Sequence, residues 1–112
     1  MTKAVIILAA AGLAHSPAAA ETIIVTPPVE RISIADLDLA SNAGIAALNG
    51  RVRHAAESLC VENIVRPLAE KMAERACFDH ALADGLAQAR RAVVARRTGE
   101  GLTVASVVVR AN

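Results

Sequence analysis

The sequence predicts a small α+β domain that is mainly helical, with a disulfide-tied antiparallel helix pair and short N- and C-terminal β-strands. Three observations predict this fold class. Apolar residues recur at helical spacing in two central stretches, β-branched residues concentrate on either side of them, and the only two cysteines, Cys60 and Cys77, fall one in each helical stretch. With 112 residues, the chain has room for one such domain.

Residues 1–20 have the pattern of a secretory signal peptide. Lys3 gives a basic start, Ala4–Ala14 is apolar, and three alanines end the segment at Ala20. The apolar run is shorter than the roughly 20 residues that a membrane-spanning helix needs. We therefore expect cleavage after Ala20, a periplasmic or secreted location, and no stable membrane insertion of the remaining domain, residues 21–112.

Two short β-prone runs, Thr22–Thr26 and Val29–Ile34, follow the leader and are separated by Pro27 and Pro28. Because proline cannot donate a ladder hydrogen bond, this pair excludes one continuous central strand and leaves one or two short strands. Further along, Ser41 has a side chain of the kind that caps helix N-termini.

The first helix is predicted over Asn42–Cys60. Its apolar residues are spaced alternately three and four apart, as one helix face requires: Ile45, Leu48, Val52, Ala55 and Leu59. This phase puts Cys60 at the edge of the apolar stripe and His54 nearly opposite it.

The second helix is predicted from about Pro67 to Arg97, with two apolar arcs that do not share a phase. Leu68, Met72 and Ala76 lie on one face. A broader arc follows, rotated from the first: Phe78, Leu82, Gly85, Leu86, Ala89 and Val93. Either a bend near Ala76 or packing on two sides would reconcile the two arcs.

The C-terminal run Leu102–Arg110 is again β-rich. We expect it to return as a strand that pairs with the Glu21–Ile34 region, and low order at the C-terminus is the alternative.

The two cysteines are expected to form a disulfide. A secretory leader places the chain in an oxidising compartment, where an even, low cysteine count is typical of a disulfide. Closing the loop between Cys60 and Cys77 contributes on the order of 3 kcal/mol in the chain-entropy model. For so small a domain, this is a large share of the net stability.

Several runs occur in the order typical of one family: Val29–Leu39, Ser41–Gly44, Arg51–Ala56 leading to Cys60, and Arg75–Cys77 followed by Ala81-Leu82. Over residues 29–95 the chain resembles the UrcA family, small signal-peptide-bearing proteins of Gram-negative bacteria named for a member responsive to uranium. The resemblance implies an extracytoplasmic protein with two paired cysteines and no established biochemical activity. The chain departs from the family pattern at Gly50 and in its β-rich end.

Cys77 and His80 have C-x-x-H spacing, and His54 and Cys60 are also residue types that bind zinc. These four residues are therefore candidate metal ligands. Both histidines, however, fall opposite the apolar stripes, and a disulfide would remove both thiolates. We therefore expect no metal and no cofactor, and His54 and His80 remain the candidate ligands of the alternative, a periplasmic metal-binding protein.

Catalysis has two candidate groups. Asp36 and Asp38 would share one face of an extended segment, but no third polar group accompanies them, and aspartates before a helix commonly cap or turn. A catalytic thiol at Cys77 would have only His80 as a nearby base. We therefore expect that the protein is not an enzyme.

Nucleic-acid binding is disfavoured as well. The leader holds Lys3, so the rest of a chain with a formal charge of +1 is formally neutral. The chain has one Phe and no Trp or Tyr, whereas single-strand binding uses aromatic platforms. The arginines near the end of the second helix instead fit its dipole. We expect a stress-associated protein that binds a protein partner or itself.

Overall fold

The computed structural model describes residues 22–99 and 106–111. Four elements follow one another in this part of the chain: β1 (Val29–Ser33), α1 (Asn42–Cys60), α2 (Leu68–Thr98) and β2 (Ser106–Arg110). The predicted mainly helical α+β class, with a helix pair and terminal strands, is confirmed. The predicted signal peptide and its cleavage site lie outside the described residues.

The two strands form one antiparallel sheet, which confirms the predicted return of the C-terminal strand. The register runs from Val29 opposite Arg110 to Ser33 opposite Ser106. Of the two N-terminal β-prone runs, only the second becomes a strand. Residues 22–28, which contain the first run, have no regular secondary structure. The two prolines at the end of that segment cannot donate to a ladder, so the pairing starts after them.

Helix α1 has the predicted bounds, and Ser41 is its N-cap. The Ser41 hydroxyl accepts from the Gly44 N–H at 2.9 Å and donates to the Asp38 carbonyl, also at 2.9 Å. A Cβ on Gly44 would lie only 1.8 Å from the Asp38 carbonyl oxygen. The loop therefore packs against the first helical turn in a way that only glycine permits.

Helix α2 is continuous over 31 residues and has no break near Ala76. It follows Pro67 and ends at Gly99, whose φ of 74° is the left-handed conformation of a C-terminal cap. Its two arcs have a simple cause. Helix α1 ends beside Cys77, whereas α2 starts about 14 Å before Cys77, so the arc with Leu68 and Met72 extends past the end of α1 and is exposed.

The core lies between the helix pair and the inner face of the sheet. Its largest fully buried side chains come from the loop before α1, from α1 and from β2: Ile34, Leu39, Leu48, Val52 and Val109. The inner face of α2 contributes small residues, among them Ala81, Gly85 and Ala89. A Cβ on Gly85 would lie 2.6 Å from Val52 Cγ1, so both α1 and β2 approach the α2 backbone closely here.

Two glycine substitutions should change stability in opposite directions. Gly50 lies within α1 with nothing within 4 Å of where its Cβ would be, so Gly50→Ala should raise the free energy of unfolding by about 0.5–1 kcal/mol. Gly85→Ala should lower it by about 1–3 kcal/mol, because the methyl group meets Val52. Urea unfolding of both variants measures the two changes, and a destabilised Gly50→Ala protein would contradict the helix environment described.

Candidate functional site: the hairpin tip

The disulfide joins Cys60, the last residue of α1, to Cys77 within α2, with the two Cα atoms 5.6 Å apart. Cys60 is buried and Cys77 is half-buried. Both sulfurs are therefore bonded to each other, and neither is a thiolate that could bind a metal or act as a nucleophile.

The connector and the first turns of α2 beyond this bond form a projecting end that we call the hairpin tip, residues 61–72. Five apolar residues of the tip are exposed. Their accessible areas, relative to a fully exposed reference residue, are Val61 39%, Ile64 55%, Val65 103%, Leu68 76% and Met72 65%. Leu68 and Met72 are four residues apart on α2 and so share a face of the helix. The tip presents apolar surface that the core does not use.

Charged side chains fasten the connector to the first turns of α2. Arg66 forms ion pairs with Glu62 and, at 2.9 Å, with Glu70. The Lys71 ammonium donates to the Glu74 carboxylate at 2.9 Å and to the Glu62 carbonyl at 3.0 Å. The hydrogen bonds that Arg66 donates to Glu70 and Glu62 raise the pKa of Arg66, and the hydrogen bond that Lys71 donates to Glu74 lowers the pKa of Glu74. These contacts hold the tip in one shape.

One pair in this network is less well matched. Arg66 Nε and Glu74 Oε1 are both buried without a hydrogen bond, and they face each other at 3.7 Å. This separation is too long for a hydrogen bond, although opposite charges still attract at that distance. The Glu74 side chain is only 15% exposed and lies within ion-pair distance of both Arg66 and Lys71.

A groove of about 660 Å³ runs between the end of α1 and the start of α2, next to the tip. Its walls include acidic Glu57 and Glu74, basic Lys71 and Arg75, and the single aromatic residue, Phe78. The groove is open to solvent along the helices and has charges of both signs. Small molecules usually bind in enclosed pockets. This open surface is better suited to an extended polypeptide.

The predicted polar pair Asp36 and Asp38 is divided between two structural contacts. The chain is not extended here, because the Leu37 N–H donates to the Ile34 carbonyl and closes a turn. Asp36 pairs with both terminal nitrogens of Arg51, and this contact lowers the pKa of Asp36 from 3.8 to about 2. Asp38 accepts from the Ala40 N–H at 3.0 Å.

The two candidate histidines, His54 and His80, are exposed on different helices. Within residues 22–99 and 106–111, no cluster of three or more His, Cys, Asp or Glu side chains has an arrangement that could hold a metal ion. The arginines at the end of α2 are exposed: Arg90, Arg91, Arg96 and Arg97.

Sequence reasoning did not identify the ion pairs of the tip. Glu62, Arg66 and Glu70 alternate in sign at a spacing of four, which is a detectable pattern, but the predicted second helix begins only at Pro67 and leaves residues 61–66 as a connector. The Asp36–Arg51 pair spans 15 positions and has no local pattern that could have revealed it.

Comparisons with known proteins returned no matching family model, curated protein or solved structure. Among the described helices, none combines the length and apolar character needed to cross a bilayer.

Removing the disulfide should destabilise the protein strongly. The disulfide joins positions 17 apart and so restricts the unfolded chain. Without it, in the double variant Cys60→Ala/Cys77→Ala, the unfolded chain gains entropy, and the free energy of unfolding should fall by about 3 kcal/mol. The melting temperature should fall by roughly 10–25 °C. Thermal unfolding followed by circular dichroism measures this. Dithiothreitol should produce the same change in the unmodified protein and none in the double variant, and equal melting temperatures would contradict the expectation.

The contact between Asp36 and Arg51 should make stability depend on pH in acid. The folded-state pKa of Asp36 is below its ordinary value, so its stabilising contribution is complete above about pH 4 and is lost as the pH falls toward 2. The stability difference between the unmodified protein and Asp36→Asn should therefore shrink over this interval. Arg51→Gln should behave in the same way. A difference that stays constant from pH 5 to about pH 2 would contradict the assignment.

Proposed function

We propose that this chain is a non-enzymatic, extracytoplasmic binding protein, similar to the UrcA family, that binds an apolar segment of another polypeptide with its hairpin tip. The observation that carries the proposal is the exposure of Leu68 and Met72 together with the connector residues Ile64 and Val65. Monomeric proteins rarely leave large apolar side chains grouped on the surface unless a partner covers them.

The rigidity of the tip supports a binding role. The disulfide fixes its base, and the ion pairs of Arg66 and Lys71 fix the connector, so little conformational entropy is lost when a partner binds. Met72 adds a flexible, polarisable side chain that adapts to different apolar partners. Because the charges of the tip are already paired with one another, apolar contact is the main attraction that remains.

The groove beside the tip extends the same surface. A polypeptide that covers Leu68 and Met72 could continue along α2 into the groove, where Phe78 offers an aromatic contact and Lys71 and Glu57 offer polar ones. A function outside the cytoplasm follows from the predicted leader, and the intact mass of the purified protein tests whether cleavage occurs after Ala20.

The tip should lose its partner when its apolar side chains are replaced. A photo-crosslinking residue at position 65 of the protein in its native compartment should capture a partner, and capture should fall at least roughly tenfold in the variant Leu68→Ser/Met72→Ser. Val94→Ser is the matched control, because Val94 is also an exposed apolar residue of α2 (58% exposed) but lies far from the tip.

Three results would contradict this proposal. Capture could be equal in the tip variant and the unmodified protein, or it could be lost equally in the Val94 control. The crosslinks could also go to lipid alone, which would identify a membrane surface instead of a polypeptide.

A further inference from the structure

Both outer edges of the sheet keep backbone groups that no described residue occupies. The Ala111 N–H donates to the Pro28 carbonyl across the sheet. Since hydrogen-bonded and non-hydrogen-bonded pairs alternate in an antiparallel ladder, the backbone groups of Val29, Arg31 and Ser33 point away from β2. On the other strand, those of Ser106, Val108 and Arg110 point away from β1.

Side chains of the helices cover parts of both edges. Gln88 of α2 accepts from the Val108 N–H at 3.3 Å and is itself held by Asp84. Arg51 of α1 donates to the Ser33 carbonyl at 2.9 Å. Within residues 22–99 and 106–111, no hydrogen bond reaches the outward backbone groups of Val29 and Arg31. The start of β1 is thus an open edge, which can accept another strand.

Next to this edge, residues 22–26 have no regular secondary structure and no hydrogen bond to another described residue. Residues 22–29 are all exposed, including the apolar side chains of Ile23, Ile24 and Val25 at 81–83%. The segment is uncharged and rich in β-branched residues, as strands are. It is therefore well suited to pair with an open sheet edge.

This segment cannot cover the edge of its own β1. It joins β1 through Pro27 and Pro28 alone, so folding back would require a two-residue hairpin turn at these positions. The turns that connect antiparallel strands this tightly need a positive φ, and proline is fixed near −65°. The pairing has to take place between two chains.

A groove of about 470 Å³ beside β1 has room for the added strand. It is lined by Glu30, Arg31 and Ile32 of β1 and by Ala47, Gly50, Arg51 and His54 of α1. Gly50 keeps this surface flat, because the space where its Cβ would lie is empty within 4 Å. Inward side chains of an added strand would lie against Ala47 and Gly50, between the longer side chains of Arg51 and His54.

We infer that two copies of this chain associate by reciprocal strand exchange, in which residues 22–26 of each copy pair with the outer edge of β1 in the other. Exchange in both directions occupies both open edges and closes the assembly as a two-fold dimer. The interface joins the two sheets and does not use the hairpin tip, so it goes beyond the proposed function.

The backbone of the edge provides the decisive test. Arg31→Pro removes an outward N–H without removing a bond to β2, whereas Arg31→Ala loses the same side chain, including its contact with Ser106, and keeps the N–H. With protein expressed from residues 1–112, light scattering across a concentration series should show a monomer–dimer equilibrium. Arg31→Pro should raise the dissociation constant at least roughly tenfold, and Arg31→Ala should leave it within about twofold.

A second pair of variants leaves the sheet itself unchanged. Ile24→Lys places a charge in the exchanged segment and should weaken the dimer, whereas Val94→Lys, at another exposed apolar site (58% against 83% for Ile24), should not. Circular dichroism confirms that each variant is folded. A monomer at every concentration, or a dimer that both Arg31→Pro and Ile24→Lys leave intact, would overturn the inference. If Leu68→Ser alone dissolved the dimer, self-association would belong to the tip, and strand exchange would again be overturned while the tip remained a binding surface.

Discussion

The covalent bond between Cys60 and Cys77 sets the geometry of the whole helix pair. It joins the last residue of one helix to a position well inside the other, so the two helices are offset along their axes. The offset leaves the first turns of α2 without α1 beside them. This offset explains the exposed arc of α2, the position of the connector and the groove next to it.

The core explains why such a tie matters. Its contribution from α2 is mostly alanine and glycine, and the single aromatic residue, Phe78, is only half-buried. Small residues bring α1, α2 and β2 close together, as the contact of Gly85 with Val52 demonstrates, but they bury little apolar area. A core of small residues therefore stabilises the fold only modestly. The disulfide offsets part of this deficit because it constrains the unfolded chain.

The helices and strands could be predicted because their determinants are local. Apolar spacing defined α1, and Ser41 marked its start. Periodicity also identified both arcs of α2, but it reveals only which residues share a face and not whether another element covers that face. The offset of the helices decides this, and it depends on where Cys60 and Cys77 meet in three dimensions.

The contacts that shape the candidate surfaces were beyond the reach of sequence for the same reason. Arg51 reaches both Asp36 and the Ser33 carbonyl, and Gln88 reaches the Val108 N–H, across separations of 15 to 20 positions. Such contacts require the register of the sheet and its placement on the helices. The sequence suggested that Asp36 forms a polar pair with Asp38. In the folded chain, the Asp36 carboxylate instead positions Arg51 against the edge of β1.

The two surfaces are close neighbours, because His54 lines both the groove beside the tip and the groove beside β1. Helix α1 therefore separates them by little more than its own width. A strand lying against Ala47 and Gly50 would cover one side of His54 and leave the other side facing the groove of the tip. Dimer formation through β1 and polypeptide binding at the tip would thus use neighbouring surfaces on the two sides of α1, and a dimer would present two tips for bivalent attachment to one extended partner.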